Sequence, residues 1–193
     1  MEQYLSVPEI ESLGLSQVNS TVQVHRFANI VFPKNILIGD HVRIDGFTVI
    51  VAQSEMRIGS YVHIGSFVNI AGGGGVSIGN FSTLSQGVKI YSVSDDYSGE
   101  SMTNPMVPNK YKNLTVAPVV LGDHVIVGSG CVVLPDTVIP DGVAIGALSL
   151  VQGVLEPWGI YAGIPARRIR DRSRKLLEVG KPFLDEFSKG TSL

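Results

Sequence analysis

The chain is short of charge, aromatic rings and cysteine. Charged residues make up 17% of its 193 residues and aromatic ones 7%, where soluble domains usually carry about 25% charge. One cysteine, Cys131, excludes a disulfide scaffold. A formal charge of −2 and a pI near 6.1 give no footprint for nucleic acid. No run approaches the roughly 18 apolar residues of a membrane span. The N-terminal MEQYLSVPEIES has acidic residues and no apolar core, so no secretory signal is expected and a cytoplasmic location is.

What is present is apolar and glycine-rich. Hydrophobic residues reach 44%, too many for a disordered chain, and the length suits one domain. Many Gly, Val and Ile with few charges point to short strands joined by tight corners.

An internal repeat organises the sequence. Segments starting at Ile38, Ile58 and Ile78 align without a gap, each carrying an aliphatic residue every six positions: Ile38, Ile44, Ile50; Ile58, Ile64, Ile70; Ile78, Leu84, Ile90. The same frame runs back to Val18, Val24 and Ile30, and resumes as strict hexads at Leu121, Val127, Val133, Ile139, Ile145 and Val151. A period of six cannot be a helix, whose apolar stripe recurs at about 3.6. It fits a strand and a corner, repeated. Glycines after the aliphatic residue, such as Gly39, Gly59, Gly79 and Gly122, are expected to supply the left-handed backbone of the corners. Three strands make a triangular coil, and coils stack about 4.8 Å apart.

The repeat resembles that of the hexapeptide-repeat acyltransferases over residues 18 to about 170. The segment PVVLGDHVIVGSGCVVLPDTVIPDGVAIGALSLV reads like that family's last coils, and WGIYAGIPARRIR like its exit from the prism. The resemblance implies an all-β fold: a left-handed parallel β-helix of about six triangular coils, with a long inserted loop and a short C-terminal helical tail. The expected organisation is a cap at 1–17, the β-helix at 18–170 with its loop at 92–118, and the tail at 171–193. In that tail Leu176, Leu177, Phe183, Leu184 and Phe187 form a docking face that Gly180 and Pro182 interrupt.

The frame breaks once, between Ile90 and Leu121. Long loops in compact domains tend to carry function, and Ser94, Asp95, Asp96 and Tyr97 cluster at the mouth of this one. Ala71–Gly75 lies one coil away; its four glycines fit either close approach of a backbone or substrate, or a wide turn. Family members are similar in using a loop histidine as general base, where this chain has Asp95. An aspartate serves if burial or Asp96 raises its pKa; otherwise Asp95 orients the acceptor and another group takes the proton.

His41 and His124 share one corner position and read as structural, and His25 is too far along the axis from the loop. His63 lies one coil from Asp95, facing either solvent or a site shared with a neighbouring subunit. Cys131 fits a small inward position, so direct attack on the thioester is preferred to an acyl-enzyme. The family's zinc-binding members space their histidines differently, and no metal is expected.

The resemblance implies acetyl-coenzyme A as donor, held between adjacent prisms of a homotrimer. Gly128, Ser129, Gly146 and Ala147 would flank its pantetheine arm, and Arg167 and Arg168 its phosphates. It implies catalytic roles for Asp95 and His63, acceptor contacts from Ser94, Asp96, Tyr97, Gly73 and Gly74, and an oxyanion held by amides near Gly72–Gly75 or in the loop. The expected reaction is acetyl transfer to the hydroxyl or amine of a sugar or nucleotide sugar, in surface polysaccharide biosynthesis. The alternatives are an acetyltransferase for an antibiotic or amino acid, and a non-catalytic scaffold. Outer-facing valines such as Val125 and Val132 would favour association.

Overall fold

The computed structural model describes residues 3–188, with side chains to residue 185. Its short strands stack into three sheets that wind a left-handed parallel β-helix of about seven coils. The first sheet contains Gln23–Val24, Arg43–Ile44, His63–Ile64, Thr83–Leu84, Ile126–Val127, Ala144–Ile145 and Gly159–Gly163. The second contains Asn29–Val31, Val49–Val51, Asn69–Ala71, Lys89–Tyr91, Val132–Val133 and Leu150–Val151. The third contains Ile36–Ile38, Met56–Ile58, Val76–Ile78, Val119–Leu121 and Thr137–Ile139. The coil beyond the expected six is closed by Gly159–Gly163, which keeps step (Ile145 beside Tyr161) without a hexad to announce it.

Each hexad buries two side chains. Ile44, Ile64 and Leu84 stack inside the first sheet, and Ile50, Ile70 and Ile90 inside the second, all fully buried. The position two residues earlier also points inward: Val42, Val62 and Val125 are buried, so Val125 belongs to the core and not to an outer face. Cys131 is likewise buried.

The corner glycines serve a different purpose from the expected one. The left-handed residues at one set of corners are His41, Tyr61, Phe81 and His124, with φ between 54 and 57°. That conformation costs about 1–2 kcal/mol for a side-chain-bearing residue. It is offset by a stack of rings whose successive centroids lie 4.7, 4.9 and 5.0 Å apart, each pair worth about 0.5–1.5 kcal/mol. The glycines two residues earlier are needed for space. A Cβ on Gly39 would sit 2.9 Å from the carbonyl carbon of Gly59, and one on Gly59 3.0 Å from that of Gly79.

Two helices flank the prism. Val7–Ser12 starts with a capping box between Ser6 and Glu9. Helix Lys175–Ser188 runs through Gly180 and Pro182 without a break, contrary to expectation. Pro182 is exposed, and so is Glu178, whose carbonyl has no amide proton to accept from the proline. Tertiary contact does the rest: the Phe183 ring sits edge-on to Tyr61 and Phe81, at 5.3 and 6.4 Å. The Phe187 side chain lies outside the described residues. No helix among them is long and apolar enough to cross a membrane.

Candidate active site

The loop leaves the second sheet after Tyr91 and returns to the third at Val119, which pairs with Val76 as though nothing had intervened. Its neck is a two-stranded antiparallel ribbon, Val93–Ser94 against Thr115–Val116. That neck crosses directly over the glycine corner. A Cβ on Gly73 would lie 2.6 Å from Val93 Cγ2, and one on Gly74 would strike the Ser92 carbonyl and the Ala117 backbone. The glycines therefore admit another backbone, while Gly75 alone supplies the positive φ of a turn, at 90°. The buried Ser92 hydroxyl accepts from the Gly74 amide at 2.9 Å and donates to the Ala71 carbonyl at 3.0 Å. The amides of Gly72 and Gly75 are engaged too, by Val51 and Gly72 carbonyls. As oxyanion donors, the amides of Gly72, Gly74 and Gly75 would have to leave these partners.

Beyond the neck the acidic pair divides its labour. Asp96 ties the loop together: it accepts from the backbone amides of Ser98 and Ser101 at 2.8 and 2.9 Å and from the Ser101 hydroxyl at 2.9 Å. Hydrogen bonds from the side chain and backbone of Ser98, then from Ser101, hold its carboxyl down at about 2. Asp95 is exposed, and Tyr97 is 93% exposed. The Ser94 hydroxyl donates to the Asp95 carbonyl at 3.2 Å.

His63 stands elsewhere, on the outer side of the first sheet between Arg43 and Thr83. Its Nε2 is 2.8 Å from Oδ2 of Asp45. The other carboxylate oxygen accepts from Arg43 Nε at 2.7 Å and from the Tyr4 hydroxyl at 3.1 Å. Burial pushes the Asp45 carboxyl up, but hydrogen bonds from His63, Arg43 and Tyr4 outweigh it and hold the group below its ordinary value. Asp45 and Tyr4 escaped the sequence reading. The available signal was a carboxylate at a hexad position that holds glycine or serine at Gly65, Ser85, Gly128 and Gly146.

One chain does not bring His63 and Asp95 together. The loop leaves the corner between the second and third sheets, and His63 lies on the first sheet, across the prism from that corner. Among the described residues, the loop's hydrogen bonds stay within it or reach the glycine corner.

The residues expected at the donor site fall into two groups. Gly128, Ser129, Gly146 and Ala147 share the corner between first and second sheets in the C-terminal coils, with Ala147 exposed and Leu148 72% exposed beside it. The amides of Gly128 and Gly146 are taken by Ile145 and Tyr161 carbonyls of the next coil. In the strand Ala166–Asp171, Arg168 is held by Asp171, Glu156 and the Tyr161 hydroxyl at 2.7, 3.2 and 3.3 Å. Arg167 points outward, with only its neighbour's carbonyl at 3.3 Å. The partly buried Arg172 donates to the carbonyls of His124 and Gly142, fastening the exit to the prism. No group of three or more His, Cys, Asp or Glu among the described residues is placed to hold a metal ion.

Comparison with known proteins decides the family. The chain is 40% identical over 181 residues to a dTDP-4-amino-4,6-dideoxy-D-glucose acyltransferase of Escherichia coli, covering 93% of this chain and 94% of that one. It belongs to the same family of sugar acyltransferases. It is therefore an enzyme that takes its acyl group from acyl-coenzyme A. No family model matches the sequence. AntD, an N-acyltransferase from Bacillus cereus solved with dTDP and 3-hydroxybutyryl-CoA, superposes with a TM-score of 0.94 at 36% identity, covering 97% of this chain and all of that one. A variant of AntD with one serine replaced, solved with dTDP-4-amino-4,6-dideoxyglucose and coenzyme A, superposes with a TM-score of 0.93 over 96% of this chain. A hexapeptide-repeat acetyltransferase from Vibrio cholerae, 21% identical with a TM-score of 0.57, shares the fold.

Proposed function

We propose that this enzyme transfers an acetyl group from acetyl-coenzyme A to the 4-amino group of dTDP-4-amino-4,6-dideoxyglucose, making an N-acylated sugar for surface polysaccharide. The observation that carries the reading is end-to-end similarity to relatives named for that acceptor or solved with it.

The amine nitrogen attacks the thioester carbonyl, a C–N bond forms, the C–S bond breaks and the coenzyme leaves as thiolate. The nitrogen must shed a proton, which the departing sulfur takes up. His63 receives that proton and passes it on, and exposed Asp95 orients the amine. AntD variants have been solved with one aspartate or one serine replaced; Ser85 and Asp95 share the separation of that pair, and Ser85 joins Asp95 in holding the acceptor. Ser94 and Tyr97 extend the acceptor surface. Asp96, Gly73 and Gly74 support it from behind, by shaping the loop. Attack is direct: Cys131 is buried, and burial pushes its thiol up, away from the reactive thiolate.

His63 and Asp95 lie on opposite sides of one prism, so the working site is a cleft between subunits, in a homotrimer with closed threefold symmetry. Coenzyme A lies along Gly128, Ser129, Gly146 and Ala147, its phosphates near Arg167, with Arg168 shaping the exit strand. Release of free thiol on mixing enzyme, acetyl-coenzyme A and the dTDP amino sugar tests the reading, with 3-hydroxybutyryl-coenzyme A as a second donor. Turnover at least a hundredfold above that with the free sugar is expected. Equal rates, or none, would overturn it.

A further inference from the structure

The carboxylate of Asp45 is the one acid among the described residues that the coil stack itself encloses: it is 9% exposed and takes hydrogen bonds from three side chains. Two of these donors are fixed in charge or direction. Arg43 is a permanent cation, and Tyr4 presents its hydroxyl from the N-terminal segment, held edge-on against His25 at 5.5 Å. A carboxylate so placed demands a proton on whatever third atom approaches it. That atom is His63 Nε2.

We propose that Asp45 is a positioning residue for the transfer reaction, locking His63 in the Nε2–H tautomer so that Nδ1 presents its lone pair to the acceptor amine. The proposal rests on the reading above that His63 takes the proton. Among the described residues the His63 ring makes no other hydrogen bond, so nothing within the chain competes for Nδ1. The ring's side chain is 39% exposed against 12% for Asp45, which puts the anchored edge inside and leaves the working edge accessible. During attack the amine proton passes to Nδ1, the imidazolium is held against the Asp45 carboxylate, and the proton then goes to the coenzyme thiolate. The charged and titratable groups facing this pair are Arg43 beside both, Tyr4 over the carboxylate and His25 behind Tyr4.

The sequence frame shows why this arrangement occurs only here. In register, the His63 position is Gln23, Arg43, Thr83, Ile126 and Ala144 in the neighbouring coils. An acid two residues beyond the register partner in the preceding coil meets a histidine once.

The test compares Asp45→Asn and His63→Ala, singly and together. Asparagine keeps the shape but donates to Nε2, imposing the opposite tautomer; in serine-protease triads the equivalent change costs about 10⁴-fold. The expected result is a kcat lowered at least tenfold in Asp45→Asn with KM for both substrates within twofold. The acid limb of its pH–rate profile should be displaced, and no loss should be added on top of His63→Ala. Should Asp45→Asn turn over like the parent while His63→Ala is slow, the positioning role is wrong and the proposed reaction stands. Should His63→Ala also be fast, the proton-transfer reading itself falls. If Asp45→Asn fails to fold, the ¹⁵N spectrum of His63 in the unaltered enzyme still decides: Nε2–H supports the proposal, Nδ1–H overturns it.

Discussion

The wall at His63 and the loop at Asp95 are built on opposite principles. On the wall, Asp45 meets Arg43 within its own coil and His63 in the next, and the aliphatic stack already fixes the spacing of those coils, so the three meet without further ordering cost. On the loop, order comes from local turns: Asp96 gathers the amides of Ser98 and Ser101, and one ribbon clamps the base. Asp95 is left facing outward. In the proposed assembly the wall would pre-organise a proton acceptor inside one chain, whereas the loop would deliver its acid to a surface of another subunit.

Four changes would break or sharpen that contrast. The largest effect on activity should follow from joining Ser94 to Thr115 by a two-residue turn, deleting the loop beyond its neck. Transfer should fall by about 10³-fold or more through lost positioning, while the melting temperature moves little because the third sheet keeps its register; retained activity would remove the loop from the site. Ile64→Ala attacks the wall instead. A fully buried rung should cost about 2–5 kcal/mol in urea unfolding, and a loss under about 1 kcal/mol would mean the stack is not what holds the wall. Gly74→Ala tests the join between the two regions, since its Cβ would meet Ser92 and Ala117. A loss of about 1–3 kcal/mol is expected, together with slower transfer, and an unaffected variant would show that the neck sits less tightly.

The smallest effect is a pH response confined to the loop. The Asp96 carboxyl is lowered to about 2 from 3.8, so its contribution is present above about pH 4 and disappears as pH falls through about 2. Amide exchange at Ser98 and Ser101 should accelerate across that window, and Asp96→Asn should show the acid behaviour already at neutral pH. Exchange that ignores both pH and the substitution would assign loop order to something else.

Much of this was legible in the sequence because a solenoid writes its core as a period. Ile44, Ile64 and Leu84 sit where the hexads put them, and the one break in the frame marks the loop. Less legible was anything that depends on which atoms touch between coils. The hexad glycines read as turn formers but are spacers, because a missing Cβ answers either need and only the neighbouring coil tells them apart. Helix Lys175–Ser188 survives its Pro182 because Phe183 docks on rings far away in sequence. Asp45 went unread for the same reason: its partners Tyr4 and His63 are 41 and 18 residues distant.

The contrast between wall and loop comes down to whether His63 and Asp95 of different subunits serve one site. His63→Ala and Asp95→Asn, each expected to be inactive alone, can be unfolded together in equal amounts, refolded and assayed for acyl transfer to the dTDP amino sugar. In a threefold assembly about one cleft in four then combines an intact His63 with an intact Asp95, so activity should return to about a quarter of the parent level. A mixture that stays as inactive as its components would contradict a shared site.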